Sequence, residues 1–369
     1  MNGSDNYSVQ PKKSLRNIES FLNGSLDKVS IEEALIEKIS LIDVRTAHEY
    51  EKGSIPTAFN YPLFDNLERA EIGVIYKRIG EKAAVEKGLE FFEPKIQKFL
   101  SSLTDLKTKQ IVVFCSRGGM RSASVVRFLQ YHGFQAAQLN GGYKSYRSYV
   151  LKQLSKPAPP LIVLHGCTGV GKTLLLKNLP DNLDLEEFAG HRSSLFGAIN
   201  KIPQTQKNFE ALLVKKILEL PNKRPVFIEG ESRKVGKVFI PHALSQAMKY
   251  GTLVLLHASL DTRIRRILEE YKISDEQTFM QTDLILQSME KVLGKKKTDQ
   301  LRHWLRKGDL GNIVHLLLEE YYDPRYQYSM RTNEYALQIS AEDLNSAAEK
   351  LVRFRNGLFR CRDNFLQSA

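Results

Sequence analysis

LIVLHGCTGVGKT, residues 161–173, decides the fold of the second half of the chain. LIVLH is an apolar run of strand length. The eight residues from Gly166 to Thr173 fit G-x-x-x-x-G-K-[ST], and KTLLLKNL then opens a helix. Strand, glycine-rich turn and helix start are the context a phosphate-binding loop needs. Gly166, Gly169 and Gly171 let the backbone curl. Loop N–H groups then cradle a diphosphate, Lys172 neutralises it, and Thr173 can hold Mg²⁺. The motif reads a diphosphate only. A nucleoside triphosphate is its default ligand. Cys167 is a small filler within the loop.

Working outward, PVFIEGES (225–232) reads as a second strand ending in carboxylates, where a ligand for a Mg²⁺ water belongs. Glu229 and Glu231 are two apart, so on a strand they share a face. The alternative is one solvent-facing and one ion-paired glutamate. GTLVLLHAS (251–259) is a further strand, and from about residue 262 the sequence reads as mostly helical. SKPAPP (155–160) is a linker, since its prolines continue neither a helix nor a central strand. Upstream, LIDVR (41–45) and QIVVFC (110–115) read as buried strands, 64–104 as mostly helical, and RSASVVRFLQYHG (121–133) as a helix ended by Gly133. Residues 1–38 are a polar tail running into a helix that SIEEALIEKIS caps and fills. Both halves alternate strand, loop and helix, as parallel α/β sheets require. The division expected is 1–155 and 156–369, the second part ending in a helical extension.

The segment Cys115-Ser-Arg-Gly-Gly-Met-Arg-Ser122 leaves a strand and enters a helix. Helix N-terminal N–H groups, with Arg117 and Arg121, favour the thiolate of Cys115, while Gly118 and Gly119 let the loop close around an anion. A thiolate so held can carry sulfur or selenium, or attack phosphorus. A buried structural cysteine is the competing reading, and the glycine and arginine pattern weighs against it.

Lysine and arginine total 54 against 42 acidic residues, a net charge of +12. That excess suits a polyanionic partner through phosphate contacts. There is no run of about eighteen apolar residues and no secretory core segment at the start, so neither a membrane span nor export is expected. Three cysteines, Cys115, Cys167 and Cys361, are too few and too scattered for a disulfide framework or zinc cluster, and a reducing cytoplasm is the expected home.

The cysteine loop and LIDVRTAHEYEKGSIPTAFNYPL (41–63), with Asp43, Arg45 and Glu49, resemble rhodanese-type sulfurtransferases over roughly residues 30–155. Gly119 stands as one residue more than that family usually has between cysteine and closing arginine, so a wider loop is expected. A rhodanese-like module ahead of a P-loop module resembles bacterial tRNA 2-selenouridine synthase over nearly the whole chain. YKRIGEKAAVEKG (76–88), GGYKSYR (141–147), GCTGVGKT, DLEEFAGHRSSLFGAI (184–199), QKNFEALL (206–213) and FIEGESRKVG (227–236) carry that resemblance. It implies action on 2-thiouridine at the wobble position of the tRNA anticodon loop. A geranyl group from geranyl diphosphate is first attached to the sulfur, and selenium from selenophosphate then replaces the S-geranyl group. By this resemblance the P-loop serves the diphosphate and Cys115 the selenium step. No tightly bound cofactor is expected, and Mg²⁺ is the ion that Thr173 could hold. Arg192 and Arg233 would add charge near the phosphates. Three departures from the family pattern are Ser116, Ser193 and Gly230, and the last removes a carboxylate that could serve a metal.

KVLGKKKTDQLRHWLRK (291–307) has seven Lys or Arg with His303 and Trp304, and suits either RNA phosphates and a stacked base or a solvated helix face. The run 350–362 interleaves aromatics with charge in the same ambiguous way. Arg263, Arg265 and Arg266 follow a strand, where some P-loop proteins carry a lid arginine. His48, His165 and His303 lack metal-ligand spacing. Two rival functions are an ATP-dependent tRNA sulfurtransferase using a Cys115 persulfide and a regulatory nucleotide switch, the second disfavoured by intact Cys115 and Lys172.

Overall fold

The computed structural model describes residues 26–221, 224–230 and 232–367, the side chains of 327–329 and 359–367 excepted. The chain divides into two compact units, up to Tyr149 and from Val150 onward.

The first unit is a five-stranded parallel sheet in the order β1-β5-β4-β2-β3. Its strands are β1 (Lys28–Val29), β2 (Ser40–Asp43), β3 (Phe59–Asn60), β4 (Gln110–Phe114) and β5 (Gln135–Leu139). Side chains alternate across a strand, so Ile111, Val113 and Cys115 share one face. That face packs on Phe92, Phe99, Val125 and Leu129. The helix Ile31–Ile36 opens with Ser30 and Glu33 in a capping box, as SIEEALIEKIS predicts. Residues 64–104 form helices Asn66–Arg78, Glu81–Phe92 and Ile96–Ser102. The thirteen-residue helix Asn66–Arg78 contains no buried residue.

The second unit is a parallel sheet in the order β12-β11-β6-β8-β7, with β6 (Leu161–His165) at its centre. The others are β7 (Asn182–Leu183), β8 (Val226–Glu229), β11 (Thr252–His257) and β12 (Leu337–Ser340). Leu161 and Val163 of β6 enter one core, and Ile162 and Leu164 enter the core on the opposite face. Burial on both faces explains the unbroken apolar run. β9 (Lys234–Val235) and β10 (Val238–Phe239) form a small antiparallel ribbon. Residues 276–322 build a helical subdomain around Leu286, Leu301, Leu305 and Leu317. From residue 262 onward the chain is mostly helical, as expected, with the short β12 added beside β11 at the sheet edge. Among the described residues no helix is long and apolar enough to cross a membrane.

Candidate functional sites: a cysteine loop and a phosphate loop

Cys115 follows β4, and its loop ends at Gly119, the N-cap of helix Met120–Tyr131. The residue is only 4% exposed. Burial alone would raise the thiol pKa. The Ser122 hydroxyl, the N–H groups of Ser122 and Arg117, and the charge of Arg121 outweigh burial and lower it. Ser122 Oγ lies 3.2 Å from Cys115 Sγ. Gln138 on β5 donates to Ser122 Oγ at 2.8 Å and to the carbonyls of Gly118 and Gly119 at 3.1 and 3.2 Å. The loop carbonyls of Cys115 and Ser116 accept from Tyr143 and Lys144, at the start of helix Gly142–Leu154, at 2.9 and 3.0 Å.

The expected arginines divide. Arg121 is bound by Glu49 at 2.8 and 3.2 Å and donates to Ser116 Oγ at 3.0 Å, while Ser116 donates to Glu49 at 2.8 Å. Ser116 thus completes a polar bridge. Arg117 acts on sulfur through its backbone N–H, and its side chain is exposed. Gly118 has φ +64°, and a Cβ there would meet Leu139 O at 2.9 Å. Gly119 is different: a Cβ would meet nothing within 4 Å, so this position borders open space. Asp43 and Arg45 form a buried pair with Nη2 to Oδ2 at 2.6 Å, and the guanidinium stacks 4.1 Å from the Tyr143 ring. That pair reaches the loop through Tyr143, whose N–H donates to Cys115 O.

The cysteine loop borders a cavity of about 1080 Å³. Its walls are largely apolar, with Phe64, Ile72, Val85, Phe92 and Phe128 among them, and Arg69, Arg117 and Arg121 stand where it reaches Cys115.

In the second unit the phosphate loop joins β6 to helix Lys172–Asn178. Gly166, Gly169 and Gly171 have φ of +151°, +80° and +98°. A Cβ at 166 would meet Leu256 O at 2.6 Å, and one at 169 would meet Ile267 Cδ1 at 2.8 Å. Lys172 Nζ donates to Gly166 O at 2.9 Å. Thr173 Oγ1 lies 3.1 Å from Glu186 Oε2 and 3.3 Å from Glu229 Oε2, and Glu229 is fully buried at the end of β8. Glu186 N–H donates to Glu229 Oε1 at 2.8 Å. The sequence reading named Glu229 but missed Glu186. Its only signal was its place in the run 184–199. Glu231 lies outside the described residues.

Arg192 lines the phosphate cleft, held by Glu270, by Ile199 O at 2.9 Å and over the Tyr271 ring at 4.6 Å. Arg233 is exposed beside the ribbon and is not among the residues lining that cleft. Of the 263–266 arginines, two are held against the loop backbone. Arg263 is buried, donates to Thr168 O at 2.8 Å and pairs with Asp323; Arg266 is buried and donates to Val170 O at 2.8 Å. They brace the loop carbonyls. Arg265 lines a separate shallow surface with Asp261. Gly230 has a local cause, since a Cβ there would stand 2.2 Å from His165 Cδ2. Trp304 packs against the helical core and Arg302 pairs with Asp283 at 2.7 Å, so the 291–307 run has a structural inner face. Among the described residues no three His, Cys, Asp or Glu side chains gather as a metal cluster.

Comparison with known proteins follows this division. The family model for the tRNA 2-selenouridine synthase AAA domain matches residues 159–353, and that for the rhodanese-like domain matches 29–149. The tRNA 2-selenouridine synthase of Shewanella pealeana (strain ATCC 700345 / ANG-SQ1) is 31% identical over 342 residues, covering 83% of this chain and 93% of that protein. Among solved structures, the N-terminal domain of a protein described as ATP/GTP binding from Clostridium difficile 630 is 42% identical, with TM-score 0.33, covering 34% of this chain and 99% of that one. A rhodanese-related protein from Thermoplasma volcanium is 21% identical, with TM-score 0.22, covering 33% of this chain and 92% of that one. The expected fold class, a rhodanese-like parallel sheet followed by an α/β module with a helical part, is the one found. With both modules matched in order, the chain belongs to the tRNA 2-selenouridine synthase family.

Proposed function

We propose that the chain converts the wobble 2-thiouridine of tRNA to 2-selenouridine in the cytoplasm, using the phosphate loop for geranyl transfer and Cys115 for selenium exchange. The observation that carries this reading is Cys115: a buried thiol whose pKa is nevertheless lowered, beside a cavity rimmed by arginine. Such a thiol is an activated soft nucleophile.

In the first step the thiocarbonyl sulfur attacks C1 of geranyl diphosphate, the C–O bond breaks and diphosphate leaves, while N3 of the base gives up its proton to solvent. Loop N–H groups and Lys172 stabilise the charge that develops on the leaving oxygen. Arg192 in the same cleft adds to them. An apolar recess walled by Phe196, Ile313 and Leu317 shares Thr168, Ser194, Ile267 and Tyr271 with the cleft, and would take the first part of the geranyl chain. Thr173 Oγ1 with the Glu186 and Glu229 carboxylates is a hard-oxygen donor set that fits Mg²⁺, which takes one or two carboxylates beside phosphate oxygens and water. Bound there, Mg²⁺ would neutralise diphosphate charge. In the second step selenium from selenophosphate adds at C2, geranylthiol departs, and water takes the phosphoryl group. Cys115 and the N–H groups of its loop would hold or activate the selenium donor.

The test is mass spectrometry of nucleosides from 2-thiouridine tRNA incubated with the protein, geranyl diphosphate and then selenophosphate. S-geranylation lost in Lys172→Ala and selenation lost in Cys115→Ala are the expected results. An unchanged nucleoside under every condition would overturn the reading and direct attention to nucleotide hydrolysis and persulfide transfer.

A further inference from the structure

The cavity beside Cys115 is larger than its loop requires. A selenophosphate ion has five heavy atoms, whereas about 1080 Å³ lies at or above the roughly 300–1,000 Å³ of clefts that enclose drug-sized ligands. Its walls come chiefly from helices Asn66–Arg78 and Glu81–Phe92, and apolar surface dominates them. Helix Asn66–Arg78 buries none of its residues, yet turns Ile72 and Val74 toward the hollow. A helix with apolar residues on a hollow is short of an apolar partner on that side.

Polar groups collect at the sulfur end. Arg69 Nε is buried without a hydrogen-bond partner, and among the described residues no ion pair holds that guanidinium. Burial and the charge of Arg121 lower its pKa, while Glu49 and Cys115 pull it upward, so it stands in the field of the cysteine loop. A guanidinium nitrogen buried without a partner is costly unless an anion meets the group, and the rest of Arg69 is only partly buried. Gly73 keeps its place clear, since a Cβ there would be 2.8 Å from Arg69 Nη1. Anion near Cys115 and apolar chain farther in describe an amphiphile. The recess beside the phosphate loop encloses about 80 Å³, so the ample room for a chain is on the cysteine side.

We infer that the cavity between helices Asn66–Arg78 and Glu81–Phe92 is a chain-binding subsite, which holds the S-linked prenyl group of the tRNA intermediate while Arg69 meets the anionic selenium donor at Cys115. The inference rests on the proposed two-step reaction for the identity of the chain. The apolar cavity and Arg69 stand without it. Burying the chain would orient the C2–S bond toward the cysteine loop and keep water from the rest of the group.

The experiment uses the full chain and a 2-thiouridine anticodon stem-loop carrying S-methyl, S-dimethylallyl or S-geranyl. Affinity should rise by about tenfold or more from methyl to geranyl, the scale expected when several methylenes leave water. Val85→Trp and Ile72→Trp, which fill the cavity, should abolish that gain while the S-methyl probe binds as before. A photoreactive diazirine at the far end of the geranyl chain gives an independent reading in the unaltered protein. Cross-links within residues 63–128 are expected. Affinity indifferent to chain length, or cross-links confined to the phosphate-loop unit, would overturn the subsite. The nucleoside assay separates this from the reaction itself. Conversion with a flat chain-length series sinks only the subsite, and chain-dependent binding without conversion sinks only the reaction.

Discussion

Gln138 donates from Nε2 to Ser122 Oγ at 2.8 Å, and Ser122 Oγ lies 3.2 Å from Cys115 Sγ. With one lone pair of the serine occupied by a buried amide, the hydroxyl hydrogen is free to point at sulfur. Gly119 O, also 3.2 Å away, competes for it. A hydrogen bond to a thiolate is charge-assisted and the stronger of the two. Ser122→Ala should therefore raise the Cys115 pKa, with Gln138→Ala moving it the same way by less. The pH profile of iodoacetamide alkylation reads this directly. The midpoint should move to higher pH, and a profile coincident with the unaltered protein would remove Ser122 from the account.

Glu49 joins the cysteine loop to acid stability. Burial opposes its ionisation, but hydrogen bonds and charge from Arg121, with help from Ser116 and the Thr46 N–H, hold its pKa at about 2 against an ordinary 4.5. A carboxylate depressed on folding stabilises the native state fully above its unfolded pKa and loses that contribution as pH falls toward the folded value. The window is thus about pH 4.5 down to about 2. Glu49→Gln should flatten the fall of urea stability through that window and weaken the protein at neutral pH, where Arg121 loses its partner. Parallel acid limbs for the two proteins would contradict it.

Both loops were legible because their chemistry is local. Gly166 to Thr173 and Cys115 to Ser122 each carry strand end, glycines and charge within eight residues. What escaped the sequence depends on chain segments brought together by the fold. Gln138 reaches Ser122 across sixteen positions, and its polarity, with that of Gln135, hid β5 inside a run that lacks the look of a buried strand. β12 was hidden by length, for four residues at a sheet edge gain their strand character from β11. Arg192 and Arg233 looked equivalent, yet Arg192 lines the phosphate cleft and Arg233 is exposed. Helix periodicity between 66 and 92 could be read, but not the hollow those helices enclose.

Gly142 shows how little room the cysteine loop has. Its φ is +59°, and a Cβ would stand 2.3 Å from Cys115 O and 2.4 Å from Gly118 N. All of those neighbours are backbone, so none can rotate away. Gly142→Ala combines left-handed strain with a direct clash, and should cost more than about 2 kcal/mol of unfolding free energy. Gly119→Ala, where a Cβ meets nothing within 4 Å, is the matched control and should cost much less. Chemical denaturation of the two variants measures the contrast, and equal midpoints would refute the assigned packing.

Glu186 offers the sharpest test of the phosphate loop, because the motif does not name it. Its Oε2 is 3.1 Å from Thr173 Oγ1, its N–H donates to Glu229 Oε1, and its Oε1 accepts from the Ser193 N–H. One carboxylate therefore touches the Thr173 hydroxyl of the motif and the loop that carries Arg192. Removing its charge by Glu186→Gln keeps the size of the side chain and most hydrogen-bonding capacity. If Glu186 helps hold Mg²⁺, the Mg²⁺ concentration for half-maximal S-geranylation should rise several-fold with modest change in the saturated rate. If it only orders the 190–200 loop, the saturated rate should fall at every Mg²⁺ concentration and the half-maximal concentration should stay where it is. Lys172→Ala supplies the scale for losing a diphosphate contact, with an expected drop of about 100-fold or more. A Mg²⁺ titration of the two variants beside the unaltered protein separates metal holding from charge neutralisation at one leaving group.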